Sequence, residues 1–233
     1  MAKRETVYII GAGSGLSASL ARLFAGEGMK VVLGARDTGK LGALAKETGA
    51  GCIQCDAVDP AGVEKFFADA ASDAGPPDIV VFNPSYRTRG PIAELDPEEV
   101  RKAILISCFA GFLVGQAAAK AMLASGSGSI LFTGASASVK GYAQSAAFAM
   151  GKFGLRGLAQ SMARELAPKG IHVAHFVIDG GIRQGPNDAR AGARGEDGML
   201  DPDAIARSYL DIHRQHRSAW TWEIELRPWV EKF

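Results

Sequence analysis

Four apolar residues at positions 7–10, Val-Tyr-Ile-Ile, run without a spacer into "GAGSGLSASLARLFAGEG". Gly11, Gly13 and Gly15 crowd the turn, and a helical segment opening on small residues follows. Few folds place a buried strand, a glycine turn and a helix in that order. Glycines let the backbone turn tightly and approach a ligand closely, and the helix N-terminus beyond them favours negative charge. A pyrophosphate fits such a turn; the alternative is a tight strand–helix connection that holds no ligand.

The same pattern repeats along the chain. Short β-rich runs occur at 7–10, 31–33, 52–55, 79–82, 130–133 and 173–178, and longer segments of helical spacing or composition separate them. Leu155, Leu158, Met162 and Leu166 keep one helical face apolar. Strands alternating with helices predict an α/β protein with a parallel sheet, and right-handed crossovers put helices on both faces. The 233 residues suffice for one domain with a substantial core, and residues 1–233 read as a single unit without internal repeats. Residues 183–200, "RQGPNDARAGARGEDGML", break the pattern and are expected to form a mobile substrate loop or lid. Asp201-Pro202 then opens a helix. In the tail, residues 219–233, Trp220, Trp222, Ile224 and Leu226 alternate with Thr221, Glu223 and Glu225. A final strand is expected, with the first four on one face, half exposed or covered by a partner subunit.

Several function classes find no support. The formal net charge is +1 and no basic stripe carries interleaved aromatics, so no nucleic-acid partner is expected. The chain starts "MAKRETVYII", without an apolar leader, which predicts a cytoplasmic protein. Residues 103–119 carry no charge, yet Ser107, Cys108 and Gln116 interrupt them and Lys102 and Lys120 bound them. That favours a buried or interface helix over a membrane span. Cys52 and Cys55, three apart on a strand, should face opposite ways and stay reduced. His213 and His216 are expected on one helix face without a third ligand, so no metal site is predicted.

The second strand ends "VVLGARD". At this point a dinucleotide fold reads the adenosine ribose, with a carboxylate for two free hydroxyls or an arginine for a 2′-phosphate. Arg36 favours NADP over NAD; it can also be read as a solvated strand-end cation. Asp37, one step on, is expected to cap the next helix.

Taken in order, these signals resemble the short-chain dehydrogenase/reductase family over about residues 5–227. Gly11, Gly15 and Ser17 occupy its glycine fingerprint, with Ser17 for the last glycine. Asp56 in "QCDAVD" matches the acid on the adenine amino group. "VVFNPS" keeps only Asn83 of the Asn-Asn-Ala-Gly motif, and Asp179-Gly180 replaces Pro-Gly. The resemblance implies one Rossmann-like, doubly wound sheet of about seven strands in the order 3-2-1-4-5-6-7. It further implies a cofactor site of Gly11, Gly13, Ser14, Gly15, Leu16, Arg36, Asp56, Ala57, Asn83, Lys152, Gly180 and Ile182.

The family's proton-handling residues are changed. Its tyrosine falls on Phe148, its serine on Ala135 and its helix asparagine on Ser107, while the lysine persists as Lys152. Reduction of a ketone puts negative charge on oxygen and needs a positioned donor, which phenylalanine and alanine lack. Replacement donors in reach of the sequence are Ser136, Ser138, Tyr142, Tyr86 and Asp179, with Lys152 as ribose clamp; His175 reads as buried packing. Arg183, Arg190 and Arg194 on the loop can meet an acidic substrate or form a solvated face. Three function classes stay open: an NADP(H)-dependent oxidoreductase acting on a small carbonyl or activated alkene, a cofactor-binding sensor or partner subunit without turnover, and a structural partner that binds no nucleotide. Segments 103–122 and 145–166, rich in Ala, Gly and Leu, predict a homodimer or homotetramer by resemblance to the family.

Overall fold

The computed structural model describes residues 4–185 and 188–232. Strand β1 (Thr6–Ile10) is buried along its whole length. A strand covered on both faces has no polar side to alternate with, which is why "TVYII" is nearly continuous in apolar character. Its neighbours are β2 (Lys30–Ala35) and β4 (Ile79–Phe82), with β3 (Gly51–Gln54) outside β2. On the other side follow β5 (Gly128–Thr133), β6 (Ile171–Ile178) and a last strand, β9 (Glu223–Leu226). All seven are parallel, in the order β3-β2-β1-β4-β5-β6-β9, as expected.

Helices cover both faces. On one lie α1 (Leu16–Gly26), α2 (Gly42–Thr48) and α8 (Pro202–His213), with Leu20, Phe24 and Tyr209 in the core. On the other lie α3 (Pro60–Ala74), α4 (Pro97–Ile104), α5 (Ala110–Leu123) and α6 (Ala146–Leu166), with Phe66, Val114 and Leu155 inside. Three helices start on one device, an aspartate followed by proline. Asp59 accepts from Gly62 N at 3.0 Å, Asp96 from Glu98 N at 2.9 Å and Asp201 from Asp203 N at 2.8 Å. Each cap contributes about 1 kcal/mol. The expected helix start at Asp201-Pro202 is among them.

A π-turn over Leu105–Phe109 joins α4 to α5, so Pro97–Leu123 forms one helix long and apolar enough to cross a membrane. Here it packs on α3, α6 and the sheet. Cys52 packs beside the α1 face and Cys55 in the core of the other, as a strand spacing of three requires. Burial pushes the Cys55 thiol up to about 12, so it stays protonated.

Two expectations need correction. The tail strand begins only at Glu223, so Trp220 and Trp222 lie before it. Ile224 and Leu226 pack on the α1–α8 side, whereas Trp222 packs on the α6 side under the Arg156 guanidinium at 5.4 Å. A turn at Arg217–Ala219 and two hydrogen bonds between Gln215 and Thr221, at 2.8 and 3.0 Å, fold the chain up to Thr221 away from the sheet, and the Trp222 carbonyl, accepting from His175 N at 2.8 Å, leads into the ladder. His213 ends α8 and bonds Ser129 at 2.8 Å and Glu5 at 3.1 Å, while His216 lies past the helix and caps the following turn. The two share no helix face, and no metal-binding cluster of His, Cys, Asp or Glu exists among the described residues. In the segment expected as a substrate loop, the described residues include short elements. β7 (Gly181–Ile182) pairs with β8 (Met199–Leu200), and α7 (Arg190–Arg194) lies between them. Pro186 and Asn187 of the expected lid lie outside the described residues.

Candidate active site

Parallel strands bring their carboxyl ends to one edge, and there the chain opens a long cleft. Gly11 follows β1 with φ +82°, and a Cβ there would lie 2.6 Å from Pro84 N. Both conditions admit glycine alone. Gly13 and Gly15 differ: a Cβ at either would meet no protein atom within 4 Å and would project into open space. Gly15, at the N-cap of α1, has no side chain to accept from the first-turn amides. Open space, free amides and a helix N-terminus together make a cradle for an anion.

Asn83 ties this turn down. Its Nδ2 donates to Ser17 Oγ at 2.7 Å, Ser17 Oγ donates to the Gly11 carbonyl at 3.1 Å, and Asn83 N donates to the Ile10 carbonyl at 2.9 Å. Ser17, in the last position of the glycine fingerprint, is thus a link in a chain from β4 to the turn.

At one end the cleft forms a cavity of about 720 Å³, lined among others by Arg36, Asp37, Lys40, Asp56 and Ala57. Arg36 has no carboxylate within salt-bridge distance among the described residues. Asp37 accepts from Gly39 N at 3.0 Å and pairs with Lys40 at 3.4 Å, so it braces the next turn and does not take Arg36, while the N-cap position expected for it falls on Thr38. Tyr86 also belongs to this end. Its hydroxyl donates to Glu99 and Lys102 sits 4.4 Å over its ring, which removes it from the proton donors at the other end.

The other end is a cavity of about 470 Å³, lined by Gly13, Ser14, Gly15, Leu16, Lys152, Gly180 and Ile182 together with Ser136, Tyr142 and Phe148. Lys152 is 2% exposed; its Nζ donates to the Thr133 carbonyl at 2.9 Å. Burial lowers its pKa to about 8. Phe148 is its neighbour one turn earlier, ring centroid 6.0 Å from Nζ. Ala135 lines the same cavity, and its N–H donates to Ser138 Oγ at 3.1 Å. Ser138 is fully buried in that bond and faces no cleft. Ser136 and Tyr142 do line it, with Tyr142 43% exposed.

The remaining candidates are placed differently. Asp179 lines an adjoining cavity and pairs with Lys140 at 3.2 Å, so its carboxyl group is engaged away from the Lys152 cavity. Ser107 is buried in the π-turn and accepts from Tyr86 N at 3.4 Å. Arg190 is spent on Asp188 at 2.6 Å and on the Ile182 carbonyl at 2.8 Å. His175 is fully buried and bonds Glu223 at 3.0 Å, while Arg156 holds Glu223 through two bonds at 2.6 and 2.7 Å. Burial lowers His175 to about 4 against the opposing pull of Glu223, so the ring is neutral. It packs, as expected. The sequence reading missed Arg87, which lines the Lys152 cavity with its guanidinium 4.8 Å over the Phe148 ring. The signal was present in "YRTRG", directly after the Asn83 loop.

Comparison with known proteins agrees with this geometry. Residues 5–185 match the family model described as short chain dehydrogenase. A short-chain dehydrogenase structure from Rhodopseudomonas palustris superposes with TM-score 0.85 at 40% identity, covering 97% of this chain and 100% of that one. A metagenomic short-chain oxidoreductase solved with NADP gives TM-score 0.81 at 28% identity, over 96% of this chain and 97% of that one. Among curated relatives, the 3-dehydrosphinganine reductase TSC10B of Arabidopsis thaliana is 33% identical over 180 residues; the match spans 73% of this chain and 53% of the relative. The cyclic-di-GMP-binding biofilm dispersal mediator protein of Escherichia coli is 32% identical over 197 residues, 82% of this chain and 78% of that protein. With the parallel sheet, the glycine turn and the buried lysine in place, the chain belongs to the short-chain dehydrogenase family of oxidoreductases.

Proposed function

We propose that this chain is an NADP(H)-dependent oxidoreductase whose proton donor is not the usual tyrosine. Its substrate is a small molecule bearing an activated carbonyl or a conjugated alkene. The observation that carries the reading is the single cleft with an unpaired Arg36 at one end, a glycine cradle in the middle and the buried Lys152 at the other. The residues fit the cofactor. Gly13 and Gly15 leave room that a side chain would fill, Asp56 and Ala57 line the adenine end, and Arg36 suits a 2′-phosphate. The NADP-bound metagenomic relative supports the same choice over NAD. When bound, NADPH would supply a hydride. The chain's part is to position it and to supply a proton. Lys152 Nζ, with a pKa of about 8, holds or releases a proton near neutral pH, and the Ser136 and Tyr142 hydroxyls line the same cavity.

A second reading has its own observation. Phe148, Ala135 and Ser107 together remove the usual donor set, and the Escherichia coli relative is named for binding a signalling nucleotide. A cofactor-binding sensor or partner subunit without turnover is that alternative. Exposed Phe109, Phe112, Met150 and Phe153 on the α5–α6 side support assembly as a homodimer or homotetramer under either reading.

Calorimetric titration with NADPH and NADH, followed by NADPH oxidation over a panel of oxo acids, ketones and conjugated alkenes, separates the readings. Binding with turnover supports the enzyme. Binding without turnover on any member supports the sensor, and no binding of either nucleotide sinks both.

A further inference from the structure

Beside the Lys152 cavity, and sharing Arg87, Ser136, Tyr142 and Gly180 with it, lies a second cavity of about 340 Å³. Its walls carry three arginines, Arg87, Arg89 and Arg194. Its two acids are already engaged: Asp179 with Lys140 at 3.2 Å and Glu231 with Arg194 at 3.8 Å. Arg87 and Arg89 have no carboxylate partner among the described residues. Partial desolvation at the cavity wall, and then the charge of Arg89, hold the Arg87 guanidinium below the usual arginine range. Two cations that line one cavity without an acid of their own leave it with a deficit of negative charge.

Arg87 and its loop are also held in place. The Arg87 guanidinium carbon sits 4.8 Å from the centroid of the Phe148 ring, which stands where the family resemblance expects a tyrosine. Gly90 N donates to the Gln144 carbonyl at 3.2 Å, which fastens the arginine loop to the segment carrying Tyr142. Gln144 adopts φ +58°, a left-handed conformation unusual for a side chain of its kind. Such strain persists only where the surroundings over-determine it, and it clusters at ligand sites. A planar guanidinium placed over an aromatic ring at a cavity wall suits bidentate pairing with a carboxylate.

We propose that Arg87 and Arg89 form a carboxylate subsite, so that the substrate is a small organic acid held between the arginine pair and Lys152. Calling the ligand a substrate rests on the oxidoreductase reading above; the subsite itself does not. Phe148 then serves as the platform that orients Arg87.

The test is equilibrium binding of 2-oxobutanoate and of its neutral amide to the full chain, by calorimetry, with and without NADPH. The acid is expected to bind at least about 10-fold more tightly than the amide, and Arg87→Gln is expected to lose about 10-fold or more for the acid alone. Because Arg87 lies at the surface, that variant should keep the melting temperature of the parent. Phe148→Leu should give a smaller loss of the same kind. Equal binding of acid and amide, no saturable binding of the acid in the millimolar range, or an Arg87→Gln variant that binds the acid like the parent, would overturn the subsite. Inorganic phosphate displacing the acid at equal affinity would overturn the carboxylate assignment in favour of a phosphate ester. Acid binding that depends on Arg87 in a protein that binds no NADPH would keep the subsite and sink the oxidoreductase reading; NADPH binding without acid preference would do the reverse.

Discussion

Lys152 donates from Nζ to the Thr133 carbonyl at 2.9 Å, and no carboxylate lies within salt-bridge distance of this buried ammonium among the described residues. A lone buried cation is costly unless something else keeps it, and a ligand in the adjoining cavity is the natural partner. A pKa of about 8 also gives the cost a pH signature.

The sign follows from proton counting. Between about pH 8 and the ordinary lysine value the unfolded chain binds a proton that the folded chain does not, so stability rises with pH across that window. Below it both states are protonated and the cost is constant, at about 3 kcal/mol. Lys152→Met removes this cost but leaves the Thr133 carbonyl unpaired, which takes back about 1 kcal/mol. The variant should therefore be more stable than the parent at pH 7 by about 2 kcal/mol, with the gap closing toward pH 10. Urea denaturation at the two pH values measures it; a gap that does not change with pH would show that Lys152 is not held near its neutral form.

Gly11→Ala combines two penalties, a left-handed φ of +82° and a Cβ placed 2.6 Å from Pro84 N. The Pro84 nitrogen and its ring cannot give way cheaply. A destabilisation of about 3 kcal/mol or more is expected, with loss of nucleotide binding. By contrast, Gly13→Ala meets no protein atom and should retain the fold while weakening NADPH, because the added methyl enters the cradle. Thermal unfolding with and without NADPH separates the two. Equal stability of both variants would contradict the close approach at Gly11.

Arg36→Ala should weaken NADPH by about 10- to 100-fold, as befits a charged hydrogen-bonded pair, and leave NADH nearly unchanged. The lack of a carboxylate partner means that no internal ion pair is broken by the change. Parallel calorimetric titrations check it. Equal loss for both nucleotides would make Arg36 a general stabiliser of the cleft rather than a reader of the 2′-phosphate.

Restoring hydroxyls at both changed positions tests how far the pocket is otherwise complete. Phe148 and Ala135 line the same cavity as Lys152. Phe148→Tyr with Ala135→Ser should create or raise carbonyl reduction by about 100-fold or more, the usual scale for a positioned acid. The same exchange removes the apolar ring beneath Arg87 only in part, so acid binding should persist. No gain in reduction, with NADPH still bound, would show that the pocket around positions 135 and 148 has been rebuilt for something other than proton delivery.

Much of the fold was legible because it rests on local regularities. Apolar runs such as 79–82 can only be interior strands, Asp-Pro pairs start helices wherever they stand, and a glycine turn after β1 needs no partner to be recognised. The tail misled because alternation around Trp220 and Trp222 mimics a strand that Gln215 and Thr221 in fact turn aside. A hydrogen bond between side chains six apart leaves no periodic trace.

The sequence by itself determined the order of elements, the glycine cradle, the place of Lys152 and the absence of a hydroxyl at positions 135 and 148. These depend on residue identity and near neighbours. Only the tertiary structure decided which groups share a cavity. It set Asp179 against Lys140, buried Ser138 and turned Tyr86 toward Glu99, and it laid Arg87 on Phe148, sixty-one positions away in sequence. Such pairings follow from how β4, β5 and α6 meet at one edge of the sheet, and the free energy of a contact between distant residues is not encoded in the spacing of either.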